Sequence, residues 1–242
     1  MQPPSSGKGA LKTADHRGRE QGLAYEVWLP AGDPPWPGVV ILHGAGSRKE
    51  NHGDFARLAA NSGWAALVYD QRGHGESEGE MTPAAFGDAG RMARLLAAEN
   101  GVDSNRIVAR GSSMGGCVAI HAAATSGAVA GAIAICPAPE RVLLQGLRKG
   151  DFDMRADASA LEPWLEEHDL RDAVELIGAK PLVLLHAQGD EQIPADHSQE
   201  LYHRAAEPKK LVLAPGGHHR SIQHDAELQS VALRWIERAL RS

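Results

Sequence analysis

Gly111-Ser112-Ser113-Met114-Gly115-Gly116 follows a run of strand character (Arg106 to Arg110) and precedes an Ala-rich run of helical character (Cys117 to Ala124). A serine in Gly-x-Ser-x-Gly at a strand-to-helix turn is held in a strained backbone that exposes its hydroxyl as a nucleophile. Glycines two residues to either side remove the Cβ atoms that would otherwise clash there. The frame fits Ser113, flanked by Gly111 and Gly115. A frame on Ser112 would place Arg110 and Met114 at those positions. A glycine-rich turn can also cradle a phosphate at a helix N-terminus. This one lacks the Lys-Ser/Thr of a P-loop and the spacing of Gly-x-Gly-x-x-Gly.

Outward from that turn, strand-length apolar runs alternate with helix-length segments. The strands expected are Gly38 to Leu42, Trp64 to Tyr69, Arg106 to Arg110, Ala128 to Ile135, Pro181 to His186 and Lys210 to Leu213. Between them lie the helix-like stretches Asp54 to Ala60, Pro83 to Ala98, Ala195 to Ala206 and Asp225 to Arg241. GVVIL at 38–42 is apolar throughout, as befits a strand covered on both faces. Such alternation predicts an α/β fold, a mostly parallel twisted sheet of about eight strands with helices on both faces. Near the N-terminus, Tyr25, Val27 and Leu29 alternate with Glu26 and Trp28 and predict a half-exposed strand. Its hairpin partner is expected at Leu11 to Ala14, across a polar turn at His16 to Arg19. The interval 137–178 is irregular, with a helix-like Pro163 to Ile177, and reads as a small cap inserted over the sheet's C-terminal edge.

The 242 residues, 43% of them hydrophobic, suit a single domain, and the net charge of −6 with no basic cluster argues against nucleic acid or an anionic membrane as partner. No apolar run is long enough to span a bilayer, and Met1 to Ala10 has no apolar core of a secretory signal, so a cytoplasmic location is expected. Cys117 and Cys136 are expected as buried thiols rather than a disulfide. The 12 histidines follow no metal-ligand spacing, and neither metal nor cofactor is expected.

Ligands of an open parallel sheet gather beyond the carboxyl ends of its strands. Residues following the strands are therefore the candidates. His43-Gly44-Ala45-Gly46 follows GVVIL. Asp190 comes after the strand ending at His186, and His218-His219 after the one ending at Leu213. Ser, Asp and His thus occur in that chain order, each at a strand exit. Glu191 and Asp196 compete with Asp190, but Asp190 is nearest the strand end, and Asp196 stands at a helix start, where a carboxylate commonly serves the helix dipole.

These features resemble the α/β-hydrolase superfamily, over nearly all of the chain from about residue 23. Tyr69-Asp70-Gln71-Arg72-Gly73-His74-Gly75-Glu76-Ser77 is similar to its D-x-R-G-x-G-x-S segment. Gly189-Asp190-Glu191-Gln192-Ile193-Pro194 resembles its acid loop, and His43-Gly44 its oxyanion loop. The resemblance implies Ser113 as nucleophile, Asp190 as acid, and backbone N–H groups of Ala45 and Met114 as oxyanion donors. The family's Pro-Gly-x-x-His favours His219 over His218 as base, with His224 a surface or capping residue. Asp70 is implied to make a structural turn and an ion pair with Arg72.

The implied activity is serine-dependent cleavage of a small carboxylic ester through an acyl-enzyme. Peptide, thioester or lactone cleavage on the same residues, and a non-catalytic binding protein of the same fold, are the alternatives. Leu143, Leu144, Leu147, Phe152, Leu161, Trp164 and Leu165 offer apolar surface from the cap, which suits a short to medium acyl chain. The natural substrate, its stereochemistry and the oligomeric state do not follow from the sequence.

Overall fold

The computed structural model describes residues 12–241. Eight strands form one sheet: β1 (His16–Glu20), β2 (Leu23–Trp28), β3 (Trp36–Leu42), β4 (Ala65–Tyr69), β5 (Val102–Ser112), β6 (Gly131–Ile135), β7 (Leu182–Ala187) and β8 (Lys209–Ala214). Their spatial order is β1-β2-β4-β3-β5-β6-β7-β8. β2 runs antiparallel to both β1 and β4, and every pairing from β4 to β8 is parallel. The chain reverses direction across the sheet at β3, which lies between β4 and β5. That reversal opens the crevice at the strands' C-terminal ends where such sheets bind ligands.

The helices are α1 (Gly53–Asn61), α2 (Ala85–Ala97), α3 (Met114–Thr125), α4 (Glu140–Lys149), α5 (Ala158–Glu167), α6 (Leu170–Leu176), α7 (Ala195–Arg204) and α8 (Ala226–Ala239). α1 and α8 cover one face of the sheet. α2, α3, α6 and α7 cover the other. Alternate residues of one strand therefore enter different cores: Val40 and Leu42 pack with α2 and α3, whereas Val39 and Ile41 pack with Phe55 and Ala59. This two-sided burial is why the central strands carry near-continuous apolar runs.

Two local expectations are corrected. The N-terminal hairpin forms, but its first strand is His16–Glu20, where a turn was expected. Gln21 and Gly22, both at positive φ (47° and 86°), make the turn instead, the backbone that a tight two-residue hairpin requires. Leu11 lies outside the described residues. The single helix expected over Pro163 to Ile177 is two, because His168 and Asp169 are extended and Asp169 caps α6 by accepting Arg171 N–H. In 137–178, α4 and α5 pack together and α6 lies on α3 and α7.

Candidate active site

Ser113 ends β5 with φ 55° and ψ −120°, a strained conformation for a residue with a side chain. The backbone around it is fully engaged: its N–H donates to Ile135 O at 2.9 Å, and its carbonyl accepts from Gly116, Cys117 and Ala138 N–H. Both flanking glycines are sterically obligatory. A Cβ on Gly111 would sit 2.0 Å from Gly115 O, and one on Gly115 would sit 2.4 Å from Leu42 O. The turn therefore holds α3 against β5 and against the end of β3 at once.

The loop after β3 passes directly beside the serine, since a Cβ on Gly44 would lie 3.5 Å from Ser113 Cβ. Ala45 and Met114 N–H have no acceptor among the described residues, as groups reserved for a ligand oxygen would. Two buried histidines hold this loop. His43 Nε2 accepts Gln71 N–H at 3.0 Å while Nδ1–H donates to Gly44 O at 2.8 Å. His74 Nε2 accepts Gly46 N–H at 3.2 Å while Nδ1–H donates to Arg72 O at 2.9 Å. Each ring must be neutral to accept at Nε2. Burial, helped by the neighbouring His74, lowers the His43 pKa to about 4, and burial also lowers that of His74.

Asp190 leaves β7 and meets His219 from the loop after β8, with Nδ1 2.7 Å from Asp190 Oδ2. The carboxylate is closed to solvent. Its other oxygen accepts Gln192 and Ile193 N–H, both at 2.9 Å. Burial alone would raise its pKa, but hydrogen bonds from His186, His219 and those two N–H groups hold it well below the usual carboxylate range. His186, fully buried, places Nε2 3.4 Å from the same Oδ2, donates from it to Ile193 O, and accepts Ser198 Oγ–H at Nδ1. Glu191 accepts His219 N–H at 3.1 Å, so the neighbouring acid anchors the histidine's backbone instead of its ring.

With Nδ1–H committed to Asp190, the lone pair of His219 lies on Nε2. His219 and Ser113 line one cavity of about 840 Å³ together with Ala45. Ser113 Oγ makes no hydrogen bond among the described residues, so its hydroxyl and the His219 imidazole share the cavity without bonding each other. Ser112 Oγ–H is taken up by Gln223 Oε1 at 2.7 Å. His218 is exposed, its Nδ1 accepting Arg220 N–H. His224 is exposed and paired with Asp54, while Asp225 caps α8. Asp196 accepts from Gln199 in the first turn of α7.

The expected Asp70–Arg72 pair does not form. Asp70 bonds buried Lys49 at 3.0 Å, and Arg72 pairs with Asp88 on α2. Asp70 is walled in, because a Cβ on Gly75 would be 2.3 Å from its carboxyl carbon. Sequence reasoning also missed Arg110, fully buried on β5, which donates to Gln223 O and Gln229 and so ties the segment after His219 to β5. Of the seven apolar cap residues singled out in the sequence, Phe152 borders the cavity with Ser113, where it is joined by Val142. Trp164 stacks between Phe86 and His168, and Leu144 faces a separate cavity on the far side of α4.

Among the described residues, three side-chain groups bring metal-ligand atoms within 4.8 Å: Cys117-His121-Glu140, Cys136-His186-Asp190 and Glu50-Asp70-Glu76. Their carboxylates are already occupied, Glu140 by His121 and Leu170 N–H, Asp190 by His219, and Asp70 by Lys49. Both cysteines are free and buried, and burial raises their thiol pKa values. Among the described residues no helix is long and apolar enough to cross a membrane.

Strand order, the antiparallel β1 and β2 at one edge and the strained serine directly after β5 give the chain the α/β-hydrolase fold. Residues 33–150 match a family model described as serine aminopeptidase, S33. The uncharacterized protein Rv2307c of Mycobacterium tuberculosis (strain H37Rv) is 26% identical over 207 residues, 82% of this chain and 68% of that one. Among solved structures, the α/β hydrolase GrgF from Penicillium sp. sh18 superposes with a TM-score of 0.75 at 18% identity, covering 94% of this chain and 98% of that one. The esterase domain of a Rhodothermus marinus protein gives 0.70 at 21% identity, covering 89% and 92%.

Proposed function

We propose that the protein is a serine hydrolase that cleaves carboxylic esters, with Ser113 as nucleophile, His219 as base and Asp190 as its partner. The observation that carries this reading is the 2.7 Å contact between His219 Nδ1 and buried Asp190, in a cavity shared with Ser113. Ser113 Oγ attacks the acyl carbon while its proton passes to His219 Nε2. The carbonyl oxygen, now negative, is held by Ala45 and Met114 N–H. His219 then returns the proton to the departing alkoxide, the C–O bond breaks, and an acyl group remains on Ser113. A water molecule attacks the acyl carbon as His219 takes its proton, the acyl–Oγ bond breaks to release the acid, and His219 returns the proton to Ser113 Oγ. Asp190 holds the tautomer and stabilises the imidazolium formed at each step. α4, α5 and their connecting segment act as a short cap over the cavity, in one domain.

Hydrolysis of p-nitrophenyl esters that disappears in Ser113→Ala tests this reading. A folded protein inactive on every ester offered would reject it. The family model's description favours amide cleavage as the second reading. Release of p-nitroaniline from aminoacyl p-nitroanilides at rates above those on esters would select it.

A further inference from the structure

Beside the Ser113 cavity lies a second, much smaller space of about 10 Å³, lined by apolar side chains that include Met81, Phe86, Met114, Leu147, Met154 and Leu161. Phe152 is the one described residue that borders both spaces. Its ring rests on α4 at Gly146, where an added Cβ would stand 2.2 Å from Phe152 Cζ. The backbone beside it is fastened to the loop after β4: Arg155 N–H donates to Gly73 O, and Met81 N–H to Arg155 O at 2.8 Å. The Arg155 side chain also donates to Ser77 O at 2.7 Å. With the backbone tied there, Phe152 is a wall common to both spaces.

The chemistry of the ester reading, on which this inference rests, assigns the two sides. His219 must hand its proton to the leaving alkoxide, so the alcohol lies on the histidine's side of Ser113. That side is polar, with Gln192, Arg220, Gln223 and His224 on the cavity wall. The acyl group must extend away from His219, and Met114, next after the nucleophile, lines the apolar space. A space of that volume holds about one methyl-sized group. We infer that the apolar space beside Phe152 is the acyl subsite, and that Phe152 limits the protein to short acyl groups carried on polar alcohols. Three methionines around it give a lining that can adapt to a longer chain once the ring is removed.

Chain-length series of p-nitrophenyl esters, from acetate to octanoate, test this in the wild type and in Phe152→Ala. The wild type is expected to show its highest kcat/KM at acetate or propionate. In Phe152→Ala the ratio of kcat/KM on hexanoate to that on acetate is expected to rise about tenfold or more, within what methylene burial supplies in an apolar pocket. Phe152→Leu should give an intermediate ratio, and it carries the test if the alanine variant does not fold. An unmoved ratio in a folded, active variant overturns the acyl-subsite inference and leaves the ester reading standing. Failure of the wild type on every ester in the series overturns both.

Discussion

His219 Nδ1 and Asp190 Oδ2 lie 2.7 Å apart, although 28 residues separate them in sequence and they leave different strands. The contact is supported on both sides. Gln192 and Ile193 N–H and His186 fix the carboxylate, and Glu191 fixes the histidine's backbone. An acid held this way stays ionised at all working pH values, so it can orient the imidazole without competing for its proton.

Asp190→Asn removes the charge while keeping the size. The amide can offer its NH₂ to Nδ1, which stabilises the wrong tautomer and leaves Nε2 protonated. We expect kcat to fall by about 10⁴ with a much smaller change in KM. His218→Ala, altering a side chain outside this relay, should cost less than tenfold. Steady-state kinetics on a p-nitrophenyl ester distinguish the two. Equal losses would mean that the register of the histidine pair is wrong.

Stability should decline in mild acid. His43 is held neutral to about pH 4 in the fold, as is His197, in both cases chiefly by burial, whereas an unfolded chain takes up these protons near pH 6.5. The unfolded state therefore binds more protons between those values, and stability present above pH 6.5 is lost as pH falls toward 4. His43 alone would account for about 3 kcal/mol at pH 4. Urea unfolding at pH 7.5, 5.5 and 4.5 measures the slope. His43→Asn should make it shallower, and the same slope in that variant would contradict the assignment.

Backbone crowding at the serine turn makes a further prediction. Gly115→Ala places a Cβ against the carbonyls of Leu42 and His43, at 2.4 and 2.6 Å, where only main chain could give way. We expect a loss of more than about 3 kcal/mol, or no soluble protein. Gly127→Ala, in a position with no atom within 4 Å of the new Cβ, should change stability by about 0.5 kcal/mol or less. Thermal unfolding of the pair settles it.

The central sheet was legible because burial on both faces forces continuous apolar runs, and the strained turn at Ser113 because only glycine fits at positions 111 and 115. Pro215-Gly216 pointed to His219, the histidine that meets Asp190. What was hidden depended on contacts between distant segments. Nothing near Asp70 in sequence indicates that Lys49 reaches it while Arg72 turns to Asp88. His43-Gly44 resembled an oxyanion loop, but only the fold brings the Nε2 atoms of His43 and His74 to Gln71 and Gly46 N–H. The hairpin start was misplaced because Gln21-Gly22 is a weaker turn signal than the polar run before it. The break at His168-Asp169 was overlooked because a capping aspartate inside a helical pattern resembles any other polar surface residue.

Ser113, and not the adjacent Ser112, is proposed as the nucleophile activated by His219. Treatment with a fluorophosphonate, followed by intact-mass analysis and peptide mapping, distinguishes the two. One adduct per chain is predicted, on Ser113, absent from Ser113→Ala and strongly slowed in His219→Gln. An adduct on any other residue, or none on a folded wild-type protein, would contradict it.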